Sequence, residues 1–285
     1  MLPFQRVLSI VASLLLSIQV FSQQPLLPDS ISVFGLLQQF DPLEVTIVTD
    51  IKGLKTEKAG ETWQPGVFKV MRGDSVALSL PVQVSARGNM RKKTCDFPPV
   101  KVRFYETEPE NDSLADINEL KLVTSCKYAP QNEEWVRQEC LIYELYNILT
   151  EESFRVKHAA IRFEDPERRN RSMESFSFFI ESEKELASRL NGNPIKPRIG
   201  SIRSLDSVSY DRMALFQYMI GNTDWGVRSR HNIKLIFLHK TARIVPVPYD
   251  FDYAGAVGTD YAVPNGDYPI RSVQERYYLG SCRSP

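Results

Sequence analysis

The sequence predicts an α+β protein of two unequal lobes. The N-terminal lobe is a mostly antiparallel sheet carrying one long helix, and the C-terminal lobe is reduced or truncated. Three observations carry that expectation. Between Leu43 and Glu181, short β-branched and apolar runs alternate in hydropathy and are cut by turns bearing Gly, Pro and Asp. One uninterrupted helical segment, about 133–150, sits between two pairs of those runs. Later, residues 221–255 read as a hairpin flanked by acidic and amide side chains.

The composition fits a globular chain. Of 285 residues, 42% are hydrophobic and 25% charged, enough apolar mass for a core. Lys plus Arg and Asp plus Glu are equal at 35 each, so bulk charge supports neither a nucleic-acid partner nor an acidic membrane surface.

Residues 1–23 read as a signal peptide. Arg6 precedes an apolar run from Val7 to Val20, and Val20-Phe21-Ser22 suits cleavage. The run is short for a membrane span. The expected protein is therefore exported, periplasmic or secreted to the surface, with no transmembrane span after cleavage. Residues 24–42 read as a lead-in, 43–181 as the N-terminal lobe and 182–285 as the C-terminal lobe.

The elements follow in order. LEVTIVTD, GVFKVM and SVALSLPVQVSARG alternate as strands, with Arg72-Gly73-Asp74 read as a hairpin turn. In PVKVRF, Val100, Val102 and Phe104 share one face, and Lys101 and Arg103 the other. A polar loop runs from Glu106 to Asn118, then ELKLVT places Lys121 within a strand. The long helix shows a stripe of Leu141, Leu145, Ile148 and Leu149, with Glu139 and Glu144 at its edges. AAIRF and SFSFFIE are two more strands, and ESEKELASRL is a short helix. A second helix spans Tyr210 to Ile220, with Met213, Phe216 and Ile220 on one face. Asp206 or Ser209 caps its start, and Gly221 ends it.

That helix delivers the chain to GNTDWGVRSRHNIKLIFLHKTARIVPVPYDFDYAG. NIKLIFL and RIVPVP form a hairpin across HKTA, so Asn232 before the first strand meets Asp250 after the second, with Asp224 close by. Two carboxylates and an amide oxygen suit Mg²⁺ or Mn²⁺ carrying a phosphate. Phosphoryl transfer asks a protein for these parts: a carboxylate at the nucleophile, an Asn and an Asp at the metal, and a cation on the phosphates. Protein kinases present the first three in the same chain order, and the preceding order of strands and helix is that of a kinase small lobe.

The stretch resembles the catalytic segment of the CotH kinase family, which has an N-x-D, a later Asn opening a strand, and a DFD-type triplet. ARGNMRKKTCDFPPVKVRF resembles that family's RGN segment followed by a basic strand, although Met90-Arg91-Lys92 stands where the family usually carries Ser-Thr-Trp. The likeness covers roughly 85–255. It is closer still to exported proteins of unknown function that share FPP, KLVT and YDFD motifs. It implies a protein-kinase-like two-lobe fold and a nucleotide, ATP or another, as phosphate donor to a protein or cell-surface substrate. Asp224 would be the catalytic base, and Asn232 and Asp250 metal ligands, with Asp252 a further ligand or a structural cap. Lys101 or Lys121 would contact the phosphates, and Glu144 or Glu139 would hold that lysine. With no Gly-rich loop in 43–90, Arg87 and the segment after it would help grip phosphate. The alternative is a non-catalytic envelope protein that uses a kinase-like fold for binding.

Four cysteines, Cys95, Cys126, Cys140 and Cys282, leave three pairings open in an oxidising compartment. Cys95 and Cys126 flank two strands expected to be neighbours, which favours that pair.

Overall fold

In a computed structural model of the chain, the residues described are 32–56, 62–88, 95–105, 118–127, 129–168, 172–196 and 202–281. The proposed signal peptide, the segment 89–94 after Arg87-Gly88, and most of the polar loop lie outside them.

Seven strands form the body: β1 (Glu44–Thr49), β2 (Gln64–Arg72), β3 (Ser75–Ala86), β4 (Val100–Phe104), β5 (Glu119–Val123), β6 (Val156–Glu164) and β7 (Ser172–Ile180). They close into a barrel in the order β1-β2-β3-β4-β5-β7-β6. This overturns the kinase-like two-lobe fold with an open N-terminal sheet. The closing contact is parallel, with Val45 opposite Ile161 and Ile47 opposite Phe163. Every other pairing in the barrel is antiparallel. Gly73, at φ +58°, turns β2 into β3 within the Arg-Gly-Asp triplet.

The barrel is filled by the inward residues of each alternating strand. Val45, Ile47, Phe68, Val82, Val84, Val102, Leu120, Leu122, Ile161, Phe163 and Phe179 are fully buried together. Phe68 meets Phe104 edge-on at 5.0 Å. Two short helices, α1 (Val33–Gln38) and α2 (Ile51–Thr56), contribute Val33, Phe34, Leu37, Ile51 and Leu54 to the same core. The lead-in thus includes a helix, capped by Ser32 Oγ accepting the Gly35 N–H.

The long helix α3 (Pro130–Leu149) lies outside the barrel against β7. Strand β7 is buried on both sides there, Phe179 facing the barrel interior and Phe178 facing α3. The helix does not bury the expected stripe. Its inner face is Trp135, Val136, Glu139, Cys140, Ile142, Tyr143 and Tyr146, whereas Leu141, Leu145, Ile148 and Leu149 are exposed. Aromatic rings remove the most surface from water, so a face with one Trp and two Tyr outcompetes an aliphatic one.

The rest of the chain packs into the same cluster, against the buried face of α3 and the end of β7. A short helix α4 (Glu183–Arg189) leads to β8 (Gly192–Pro194). Helix α5 (Ser207–Met219) is capped by Asp206, whose carboxylate accepts the Ser209 N–H, and ends at Gly221 with φ +67°. Then β9 (Ile233–Leu238) and β10 (Arg243–Pro248) form the expected antiparallel hairpin, with β8 on the outer side of β9. Cys95 and Cys126 form a disulfide, their Cα atoms 4.6 Å apart. Among the described residues, no helix is long and apolar enough to cross a membrane.

Candidate functional site

The base of the β9–β10 hairpin gathers the polar residues. Pro248 pairs with Ile233, and one step further the Tyr249 N–H donates to the Asn232 carbonyl at 3.0 Å. Asn232 and Asp250 therefore leave the hairpin side by side. Both sit in left-handed backbone, φ +51° and +62°. Asn and Asp tolerate that region better than other non-glycine residues, at a cost of about 1–3 kcal/mol each.

Asp224 is brought in by a tight loop. Gly226 and His231 exchange backbone hydrogen bonds of 3.0 and 2.9 Å, folding 224–232 back on itself. The Asn232 Nδ2 donates to the Asp224 carbonyl at 2.8 Å and to its Oδ2 at 3.0 Å, while His231 Nε2 lies 2.8 Å from Oδ1. Both carboxylate oxygens of Asp224 are thus held in place. With its NH₂ spent on Asp224, Asn232 has its carbonyl oxygen to offer a cation.

Asp250 is positioned from the helix. Its N–H donates to the Tyr143 hydroxyl at 2.8 Å. Burial holds the Tyr143 phenol well above its ordinary pKa, and the nearby Glu139 and Asp250 charges raise it further, so it stays neutral. Asp252 is a loop anchor: Oδ2 accepts the Tyr261 hydroxyl at 2.9 Å and its carbonyl accepts from Thr259. The Tyr253 phenol is raised first by burial, then by Asp252, Asp224 and Asp250.

Across from Asp250 is a small cleft of about 30 Å³, lined in part by Arg87, Lys121, Glu181, Lys234 and Tyr249. Lys121 comes from the barrel, Arg87 from the end of β3, and Lys234 from the hairpin. Burial lowers the Lys121 pKa to about 8, and the Arg87 and Lys234 charges add to that shift against the opposing pull of Asp250. The ammonium groups of Lys121 and Lys234 lie 5.6 and 5.5 Å from the Tyr249 ring centre. Glu181 forms a bidentate pair with Arg189 at 2.9 Å, fixing the cleft wall.

Of the two candidate lysines, only Lys121 lines this cleft. Lys101, its cross-strand partner, pairs with Glu119 at 3.3 Å. Glu144 is a correction. It lies on the exposed flank of α3, 3.8 Å from His158, and not at a lysine. Glu139 is the buried acid of that helix, close enough to act on Tyr143. Sequence reasoning missed Lys234, Tyr143 and Tyr249. Lys234 alternates with Ile233 and Leu235, which marks it as facing away from the apolar side of its strand. Nothing local in the sequence marks Tyr143.

Among the described residues, no three His, Cys, Asp or Glu side chains are grouped closely enough to hold a metal by themselves. Asn232 and Asp250 are hard-oxygen donors of the kind Mg²⁺ uses when phosphate oxygens and water complete its shell. The residues fit a cation that arrives with a phosphate, and do not fit a protein-only metal centre.

Fold and site together define a closed β-barrel with a helix-and-hairpin extension, whose hairpin base sets acids and an amide near half-buried cations. No family model matches the chain, and a search of curated proteins finds no match.

Proposed function

We propose that this exported chain is a divalent-metal-dependent phosphotransferase that takes phosphate from a nucleotide, ATP or another, to a protein or cell-surface acceptor. The reading rests on the chemistry of the site, because the two-lobe kinase-like architecture is absent. One observation carries it: three cations from separate elements, Lys121, Arg87 and Lys234, line one cleft with Asp250. Such a cleft suits a phosphate chain on its basic side and a phosphate-borne cation on its acidic side.

In this reading Asp224 accepts the proton of the incoming hydroxyl, with His231 and Asn232 fixing its orientation. Asn232 and Asp250 hold Mg²⁺ or Mn²⁺, and Asp252 keeps its loop in shape. The cation, when bound, neutralises phosphate charge. Lys121, Arg87 and Lys234 orient the phosphates. The test is thermal unfolding with ATP and Mn²⁺, where a hundredfold excess over Kd should add roughly 2.7 kcal/mol. Asp250→Ala should lose that gain and keep its fold. An unshifted parent protein, or an Asp250→Ala variant that still shifts, overturns the proposal.

The small size of the cleft favours a second reading, a binding module that holds a nucleotide or phosphate without turnover. Transfer of labelled phosphate to an acceptor, or its release to water, separates the two.

A further inference from the structure

We propose that the exposed apolar face shared by α3 and α5 is an interface between two copies of this chain. On α3, Leu141, Leu145, Ile148 and Leu149 are 44–80% exposed, and on α5, Leu215 and Met219 are 53% and 61% exposed.

These residues form one surface. Tyr146 of α3 packs on Phe216 of α5 at 4.6 Å, and one turn on, Thr150 Oγ1 accepts from Arg212 at 2.9 Å. Numbers rise on one helix as they fall on the other, so the pair is antiparallel. At about 100° per residue, Leu145 and Leu149 lie about 100° and 60° to one hand of Tyr146. Leu215 and Met219 lie at those same angles, about 100° and 60°, to the same hand of Phe216. In an antiparallel pair, equal rotations from the line of contact reach the same side. The two stripes therefore merge into one patch.

The area fits a dimer. Six large side chains exposed to this degree present on the order of 600 Å² of apolar surface, at the upper end of the largest patch on an ordinary monomer. A standard interface takes about 800 Å² from each partner, and in homodimers about 65% of it is apolar, or about 500 Å². A two-fold axis through the patch lays the α3 stripe of one copy on the α5 stripe of the other, the self-complementary arrangement such symmetry needs. The formal net charge of zero imposes no repulsion between copies. Glu144, half exposed, and Glu151, three-quarters exposed, stand on and just beyond α3 and disfavour an anionic lipid surface as the occupant. Tyr143 faces the other way, into the core, so pairing leaves the hairpin site open.

Sedimentation equilibrium of the intact chain from about 1 to 100 µM tests this. The parent should sediment at twice the chain mass. Leu145→Glu with Met219→Glu should weaken association at least about a hundredfold, with an unchanged circular-dichroism melt. Ile148→Glu, at a position 80% exposed, tests the same face with the least risk to the fold. A parent that stays monomeric at about 100 µM overturns the proposal, as does a dimer indifferent to both variants. A monomer that binds anionic vesicles through Ile148 overturns it in favour of a lipid surface.

Discussion

Replacing Lys121 by Met should make the protein more stable at neutral pH. Burial, reinforced by Arg87 and Lys234, lowers the Lys121 pKa from 10.5 to about 8. The unfolded chain keeps this proton to about pH 10.5, whereas the folded chain releases it near pH 8. Between those values the unfolded state binds more protons, so the parent gains stability as pH rises. Below pH 8 both states are protonated, and the buried charge costs a constant amount. At 1.36 kcal/mol per pKa unit, that amount is about 3 kcal/mol. Met has similar length and no charge, so Lys121→Met should gain up to about 3 kcal/mol at pH 7. The advantage should shrink by about 2 kcal/mol on going to pH 9.5. At about 2–4 °C per kcal/mol, the pH 7 gain raises Tm by about 6–12 °C. Urea unfolding of both proteins in EDTA, at pH 7 and 9.5, reads the difference without interference from metal. A variant less stable than the parent at pH 7, or an advantage that does not change with pH, refutes the electrostatic argument. The same substitution should weaken ATP–Mn²⁺ binding. A stabilised variant with undiminished binding leaves the electrostatics standing and removes Lys121 from the proposed site.

Two further outcomes follow from contacts around the site. Opening the Cys95–Cys126 disulfide, which spans 31 residues, by changing both cysteines to Ala should cost about 3–4 kcal/mol in urea unfolding; no change in midpoint would show that the loop is held by other contacts. Tyr143→Phe removes the acceptor of the Asp250 N–H and should cost about 1–3 kcal/mol, while reducing nucleotide binding more than a substitution on the exposed side of α3. Equal effects from Tyr143→Phe and Leu141→Ala on binding would detach Tyr143 from the site.

What the sequence made legible was local. The period-2 pattern of PVKVRF placed Val100, Val102 and Phe104 on one face, and they are buried while Lys101 and Arg103 are half-buried. NIKLIFL and RIVPVP formed their hairpin, and with it the meeting of Asn232 and Asp250. The barrel was not legible, because its closing contact joins Glu44 to Ala160 and nothing in either strand names the other. The α3 face was misread for a related reason. Two apolar stripes compete on that helix, and which one is buried depends on Phe178 and Phe251 elsewhere in the chain. The choice between Lys101 and Lys121 turned on strand order. The two are cross-strand partners, but Lys121 also pairs with Ile180 of β7, which puts it one strand nearer the hairpin.

The site departs from what stability alone would select in three places at once. Asn232 and Asp250 hold left-handed backbone, and Lys121 is buried among like charges. Each departure costs on the order of 1–3 kcal/mol, a large part of the margin by which a domain stays folded. Glycine would relieve the first two, at 232 with loss of the hydrogen bonds that hold Asp224, and an apolar residue would relieve the third. Departures of this kind gather where function requires them. Lys121 and Asp250 face one cleft, in which Lys234 already pairs with Glu183 at 2.9 Å, leaving Lys121 and Arg87 on the barrel side and Asp250 on the hairpin side short of counter-charge. A phosphate chain with its divalent cation supplies both missing charges together. An anion alone would satisfy Lys121 and Arg87 but add its charge to that of Asp250 and Asp224. Phosphate and divalent cation should therefore bind cooperatively, each raising the affinity for the other by the same factor.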